Sequence, residues 1–116
     1  MNFEIGKNVI DIEIRALDFL KKSISKKKFE LAIDVLFKTK NKIIISGIGK
    51  SGHIASKISS TFSSIGSPSF FIHPSEANHG DLGMITNKDT VILISNSGET
   101  SELTNLILHC NKLKVP

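Results

Sequence analysis

Three short apolar runs constrain this chain more than anything else in it: "KIIIS" at 42–46, "PSFFIH" at 68–73 and "TVILIS" at 90–95. In the first and third the apolar residues are continuous rather than alternating. A strand with one wet face alternates; a strand covered on both faces does not, and that burial is typical of parallel sheets. Helix-period segments separate the runs. Ile54, Ile58, Phe62 and Ile65 give a helix that ends before Gly66, and Leu103, Leu106, Ile107, Cys110 and Leu113 give a last one. Ahead of the first strand, Ile10, Ile14, Leu17, Leu20 and Ile24 mark an amphipathic helix over about 8–25. "SKKK" interrupts it, Phe29, Ala32, Ile33, Leu36 and Phe37 mark a second helix, and "TKNK" is a polar turn. "PSEANHGDLG" reads as a loop with one helical turn.

The order ααβαβ(loop)βα predicts an α/β fold: a three-layer αβα parallel sheet with right-handed crossovers and N-terminal helices. The expected division is a helical segment over 1–40 and a sheet domain over 41–116. About three strands are present, so the sheet is incomplete. The last helix should feed a fourth strand, and "KVP" at 114–116 reads as its lead-in. An uncovered edge exposes unpaired backbone, which a partner chain or further sequence must cover.

Ligands of open α/β sheets bind at the carboxyl ends of the strands. Three polar loops lie there: "GIGKSGH" (47–53), "HPSEANHGD" (73–81) and "SNSGETSE" (95–102). The first matches the G-x-G-x-x-G dinucleotide fingerprint between a strand and a helix. The acidic partner of that fingerprint is missing from the end of the next strand, where "FFIHP" has none before Glu76. A nucleoside-triphosphate loop needs glycine at position 44, which is Ile44. What remains is an anion-facing turn. Glycines such as Gly49 admit a ligand close to the backbone, Ser51 can cap the helix, and Lys50 adds a charge. In the third loop Ser95, Ser97, Thr100 and Ser101 place four hydroxyls around Gly98 at another helix start, a phosphate cradle. Glu99 and Glu102 repel phosphate. Glu102 is then either a first-turn helix acid or a general base aimed at reacting carbons. In the second loop His79 is an acid/base candidate or a structural histidine. His73, Glu76 and His79 match no zinc-ligand spacing, and no metal is expected.

The rest of the composition narrows the classes. The net charge is +4, but Arg15 is the only arginine, and tryptophan and tyrosine are absent. Nucleic-acid readout favours arginine forks and stacking aromatics, so no nucleic-acid partner is expected. A single cysteine, Cys110, allows no internal disulfide. No apolar run approaches the length of a membrane span, and acids break every apolar run at the N-terminus. A soluble cytoplasmic protein without a membrane partner is expected.

"SNSGETSE" resembles the S-x-S-G-[ED]-[ST] loop of sugar isomerase (SIS) domains, which bind phosphosugars. The stretch "GIGKSGHIASKISSTFSSIGSPSFFIHPSEANHGDLGMIT" is similar, almost without gaps, to the N-terminal part of that domain in the D-arabinose 5-phosphate isomerases. Residues 1–40 fit the same enzymes more loosely. The resemblance implies a cofactor-independent aldose–ketose isomerase interconverting D-ribulose 5-phosphate and D-arabinose 5-phosphate, through an enediol or enediolate, for the Kdo of lipopolysaccharide. It carries Lys50, His79 and Glu102 over as catalytic residues: charge stabilisation, acid/base or hydroxyl orientation, and base. It carries Gly49, Ser51, Ser95, Ser97, Gly98 and Thr100 over as substrate and phosphate contacts. It further implies a homo-oligomer.

Full-length members add two strands and a further active-site glutamate and histidine beyond the position of Pro116. The expectation is therefore a truncated form with reduced or no activity alone. A non-catalytic phosphosugar-binding module and a dinucleotide-binding half-domain stand as competing readings.

Overall fold

The computed structural model describes residues 1–116. The chain divides into two compact units, Met1–Ile33 and Asp34–Pro116.

The first unit is helical. Helix α1 runs from Asn2 to Ser23, longer than its periodicity suggests. Its first turn continues through Gly6 without a side-chain cap at Met1. Ile24 is extended and ends it. Helix α2 then begins at Lys26 and runs to Phe37, into the second unit. "SKKK" is thus a break of two residues, with its three lysines already helical. The Ser25 hydroxyl accepts from the Lys28 amide at 3.3 Å, as an N-cap serine does. Not one residue of Met1–Ile33 is buried.

The second unit holds the sheet. Strands β1 (Ile43–Gly47), β2 (Ser69–Ile72) and β3 (Thr90–Ile94) are all parallel, in the order β2-β1-β3. Helix α3 (Lys50–Ser64) joins β1 to β2, and α5 (Thr104–Leu113) follows β3. Between β2 and β3 lie a short helix α4 (Pro74–Ala77) and a 3₁₀ turn (Asp81–Met84), where the sequence suggests a single turn. The continuous apolar runs are explained by two cores, one on each face. Ile43, Ile45 and Ala55 form the first, with Ile58, Phe62, Phe71, Ile92 and Ile94 against them. Ile44, Ile72, Leu103, Leu106 and Cys110 form the second. Burial raises the Cys110 thiol pKa, in keeping with a core residue. After α5, Lys114 is left-handed at φ 55°, and the Val91 amide donates to the Pro116 carbonyl at 3.0 Å. The end of the chain therefore lies against the outer edge of β3.

The amino ends of the strands are tied by a buried carboxylate. Asp89 is 2% exposed and accepts from Asn41 Nδ2 (2.8 Å), Lys42 Nζ (2.9 Å), the Lys42 amide (3.2 Å), the Thr86 amide (2.7 Å) and the Thr86 hydroxyl (3.0 Å). Burial by itself pushes this carboxyl up. The Lys42 ammonium and the donors from Thr86 and Lys42 outweigh it, and the net shift is downward.

Candidate functional site

The carboxyl ends of the three strands carry the three loops singled out in the sequence. Strand β1 is central, so its loop lies between the other two.

The β1 loop is built by close approach. A Cβ on Gly52 would lie 2.6 Å from the Gly47 carbonyl oxygen, and one on Gly47 would lie 2.9 Å from the backbone of Ser51. Only two glycines let the end of the strand and the first turn of α3 touch in this way. Gly49 sits at φ 59°, ψ −130°, outside the space open to other residues. Gly49, and not Ser51, holds the N-cap position, and no side chain caps the helix. The helix begins a residue before the serine, so the capping role expected of Ser51 is not found. The first intrahelical donors are Gly52 to Ile48 and His53 to Gly49, at 3.3 and 3.2 Å. The amides of Gly49, Lys50 and Ser51 make no backbone bond there, so the turn presents open donors at the positive end of a 15-residue helix. Lys50 is exposed and Ser51 half-buried beside them.

The β3 loop folds on its own hydroxyls. Ser95 Oγ lies 2.6 Å from Thr100 Oγ1 and accepts from the Gly98 amide at 3.1 Å. Ser97 Oγ accepts from the Glu99 amide at 3.1 Å. Gly98 takes φ 73°, which closes the turn. Ser95, Ser97, Gly98 and Thr100 are thus brought together as expected. Ser101 departs from the cradle: its hydroxyl donates to Glu102 Oε2 at 3.1 Å. Glu102 is exposed in a 3₁₀ turn (Ser101–Leu103) ahead of α5, so it is not an acid of that helix's first turn.

In the β2 loop the two histidines differ. His73 Nδ1 accepts from the Ser75 amide at 3.2 Å and caps α4, with Pro74 at the first helical position. His79, just past α4, is exposed with a free side chain. Asn105 Nδ2 donates to Asn78 Oδ1 at 2.9 Å, tying the residue before His79 to the helix that follows Glu102. The two asparagines are distant in sequence, and no local pattern announces the pair. A cleft of about 250 Å³ lies beside the first turns of α3, lined by Gly49, Gly52, His53, Ser56, Phe71 and His73. Of the residues expected to bind or react, only Gly49 lines it.

An αβα parallel sheet with anion-facing loops at its carboxyl ends defines a class of small-ligand domains, and the comparisons with known proteins refine it. A family model described as "SIS domain" matches residues 36–116. The chain belongs to the SIS domain family. It is 52% identical over 113 residues to the Shigella flexneri arabinose 5-phosphate isomerase KdsD and 51% identical to that of Escherichia coli K12. Each match covers 97% of this chain and 34% of the relative, so the chain spans about a third of the curated relatives' length. The solved structure of an Escherichia coli CFT073 protein in complex with a phosphosugar superposes with a TM-score of 0.88 at 41% identity, over 97% of this chain and 60% of that one. No helix is long and apolar enough to cross a membrane.

Proposed function

We propose that this chain carries the phosphosugar-binding half of an isomerase site that interconverts D-ribulose 5-phosphate and D-arabinose 5-phosphate. The observation that carries the reading is the pairing of two anion cradles on adjacent strands, in a chain about half identical to arabinose 5-phosphate isomerases. The open amides of Gly49, Lys50 and Ser51 form one, and the hydroxyls of Ser95, Ser97 and Thr100 with Gly98 form the other. Together they suit the dianionic end of a sugar phosphate.

Glu102 is the proposed base. It takes the proton from the carbon next to the carbonyl and returns it to the neighbouring carbon. Lys50 stabilises the negative charge that develops on oxygen between these steps. His79 orients a hydroxyl or moves its proton. No cofactor enters this scheme. The product would feed Kdo synthesis.

The test is a titration of the 116-residue chain with arabinose 5-phosphate, read by backbone amide shifts. Saturable shifts centred on Gly49–Ser51 and Ser95–Thr100 are expected, with no saturable response to NAD(P). Shifts elsewhere, or saturation by the dinucleotide, overturn the reading. Glu102→Gln separates catalysis from simple binding: it abolishes any isomerisation while leaving affinity nearly unchanged. A non-catalytic binding module has no turnover to lose.

A further inference from the structure

Helix α1 is the one long element of the protein with no buried residue and no tie to the sheet unit. Its surface is sorted into stripes. Glu4, Lys7, Asp11, Arg15, Asp18 and Lys22 follow one another at three- and four-residue steps, alternating in sign. Lys7 bonds Glu4 at 3.1 Å along this row. This single polar stripe has no net charge, and it is a face made for water. Most of the remaining surface is apolar. Ile5, Val9, Ile12, Ala16 and Phe19 recur at steps of 4, 3, 4 and 3, an unbroken seam of coiled-coil period. On its other flank Phe3, Ile10, Ile14, Leu17, Leu20 and Ile24 form a second apolar stripe, crossed only by Glu13 and Lys21.

The area argues for protein as the cover. Ten large apolar side chains of α1 and its C-terminal cap remain between 49% and 74% exposed. A large apolar side chain removes roughly 60–120 Å² when fully buried, so the ten together offer roughly 500 Å². A stable interface needs about 800 Å² per partner, of which a little over half to two-thirds is apolar. Both stripes together reach that apolar share, and either alone supplies about half. A membrane surface is the poorer match, because helices that lie on lipid carry a lysine- and arginine-rich polar face and this one is neutral.

The seam also fits itself. Turned end for end about Ile12, it sets Ile5 against Phe19, Val9 against the small Ala16, and Ile12 against its own copy. Such self-matching is what a two-fold interface between identical chains requires. We propose that α1 is a self-association helix: both its apolar stripes are buried against further copies of this chain, and the Ile5–Phe19 seam pairs antiparallel with itself about Ile12. This does not rest on the phosphosugar reading.

The test begins with the unaltered 116-residue chain. Light scattering coupled to gel filtration at micromolar concentration is expected to give at least twice the chain mass. Ile12→Asp should return it to a single chain while the sheet unit's circular dichroism persists. In a Cys110→Ala background, Ile12→Cys should form a disulfide between copies, and Asp11→Cys, on the polar stripe, should not. A monomeric unaltered chain overturns the proposal, as does an Ile12→Asp variant of unchanged mass. So does cross-linking that is equally strong from Asp11→Cys.

Discussion

The two ends of the same three-stranded sheet are built on opposite principles. At the amino end the donors and acceptors meet inside the chain. Asp89 collects five hydrogen bonds, the Thr39 and Thr90 hydroxyls lie 2.7 Å apart, and the Lys40 and Asn41 amides share the Lys88 carbonyl. At the carboxyl end, amides of the β1 turn stay open and the catalytic candidates Lys50, His79 and Glu102 are all exposed. Satisfied polar groups hold strands in place; open ones are free for a ligand. The difference separates the stabilising end from the binding end, and substitutions at each should fail in different ways.

The largest stability loss is expected at Asp89. Asp89→Asn leaves Lys42, whose side chain is 14% exposed, without its counter-charge and turns an amide donor toward the Thr86 amide. Breaking a buried pair by removing one partner costs about 3 kcal/mol or more. Urea denaturation of the two proteins measures it. The sign of the pH dependence follows from the depressed folded pKa. The stabilisation is fully present above the unfolded value of about 3.9 and fades as pH falls through the folded one. The gap between wild type and Asp89→Asn should therefore be flat from neutral pH to about pH 5 and narrow only below about pH 4. A gap that narrows near neutrality would show that some other group is responsible. Phosphosugar affinity of the folded fraction should stay unchanged.

Gly52→Ala comes next and affects both properties. Its Cβ would meet the Gly47 carbonyl oxygen at 2.6 Å, so backbone must move, at about 2 kcal/mol. Gly49→Ala meets no atom within 4 Å, yet its φ of 59° with ψ of −130° costs a similar or slightly smaller amount. Both should lower phosphosugar affinity because both distort the open amides. Thermal unfolding beside ligand titration separates these from Asp89→Asn, which lowers stability alone.

How much of this was legible in the sequence depended on the range of each interaction. Strands β1 and β3 announced themselves because burial on both faces leaves no polar residue among Ile43–Ile45 or Val91–Ile94. The start of α1 was obscured because no capping side chain marks it and Gly6 lies in its first turns. The cap at α3 was assigned to Ser51 because serine is the usual capping residue, whereas the turn needed the left-handed freedom of Gly49. The hydroxyl cluster of 95–100 was readable since its bonds span five residues or fewer. The Asp89–Asn41 bond and the Asn78–Asn105 tie were not, because their partners lie 48 and 27 residues apart.

The smallest stability effect, and the sharpest test of the contrast, is Ser95→Ala. Its hydroxyl is half-buried and bonds an exposed amide, so its removal costs about 0.5–1 kcal/mol of folding free energy. Its expected effect on ligand binding is larger. Without Ser95 Oγ, the Gly98 amide loses its acceptor and the Thr100 hydroxyl loses its neighbour, so the turn no longer holds its donors toward one point. A drop in affinity of about tenfold corresponds to about 1.4 kcal/mol, more than the folding loss. Calorimetric titration with arabinose 5-phosphate beside urea denaturation gives both numbers on one variant. If Ser95→Ala loses more stability than affinity, its hydroxyl serves the fold as Asp89 does, and the division between the two ends of the sheet fails at this residue.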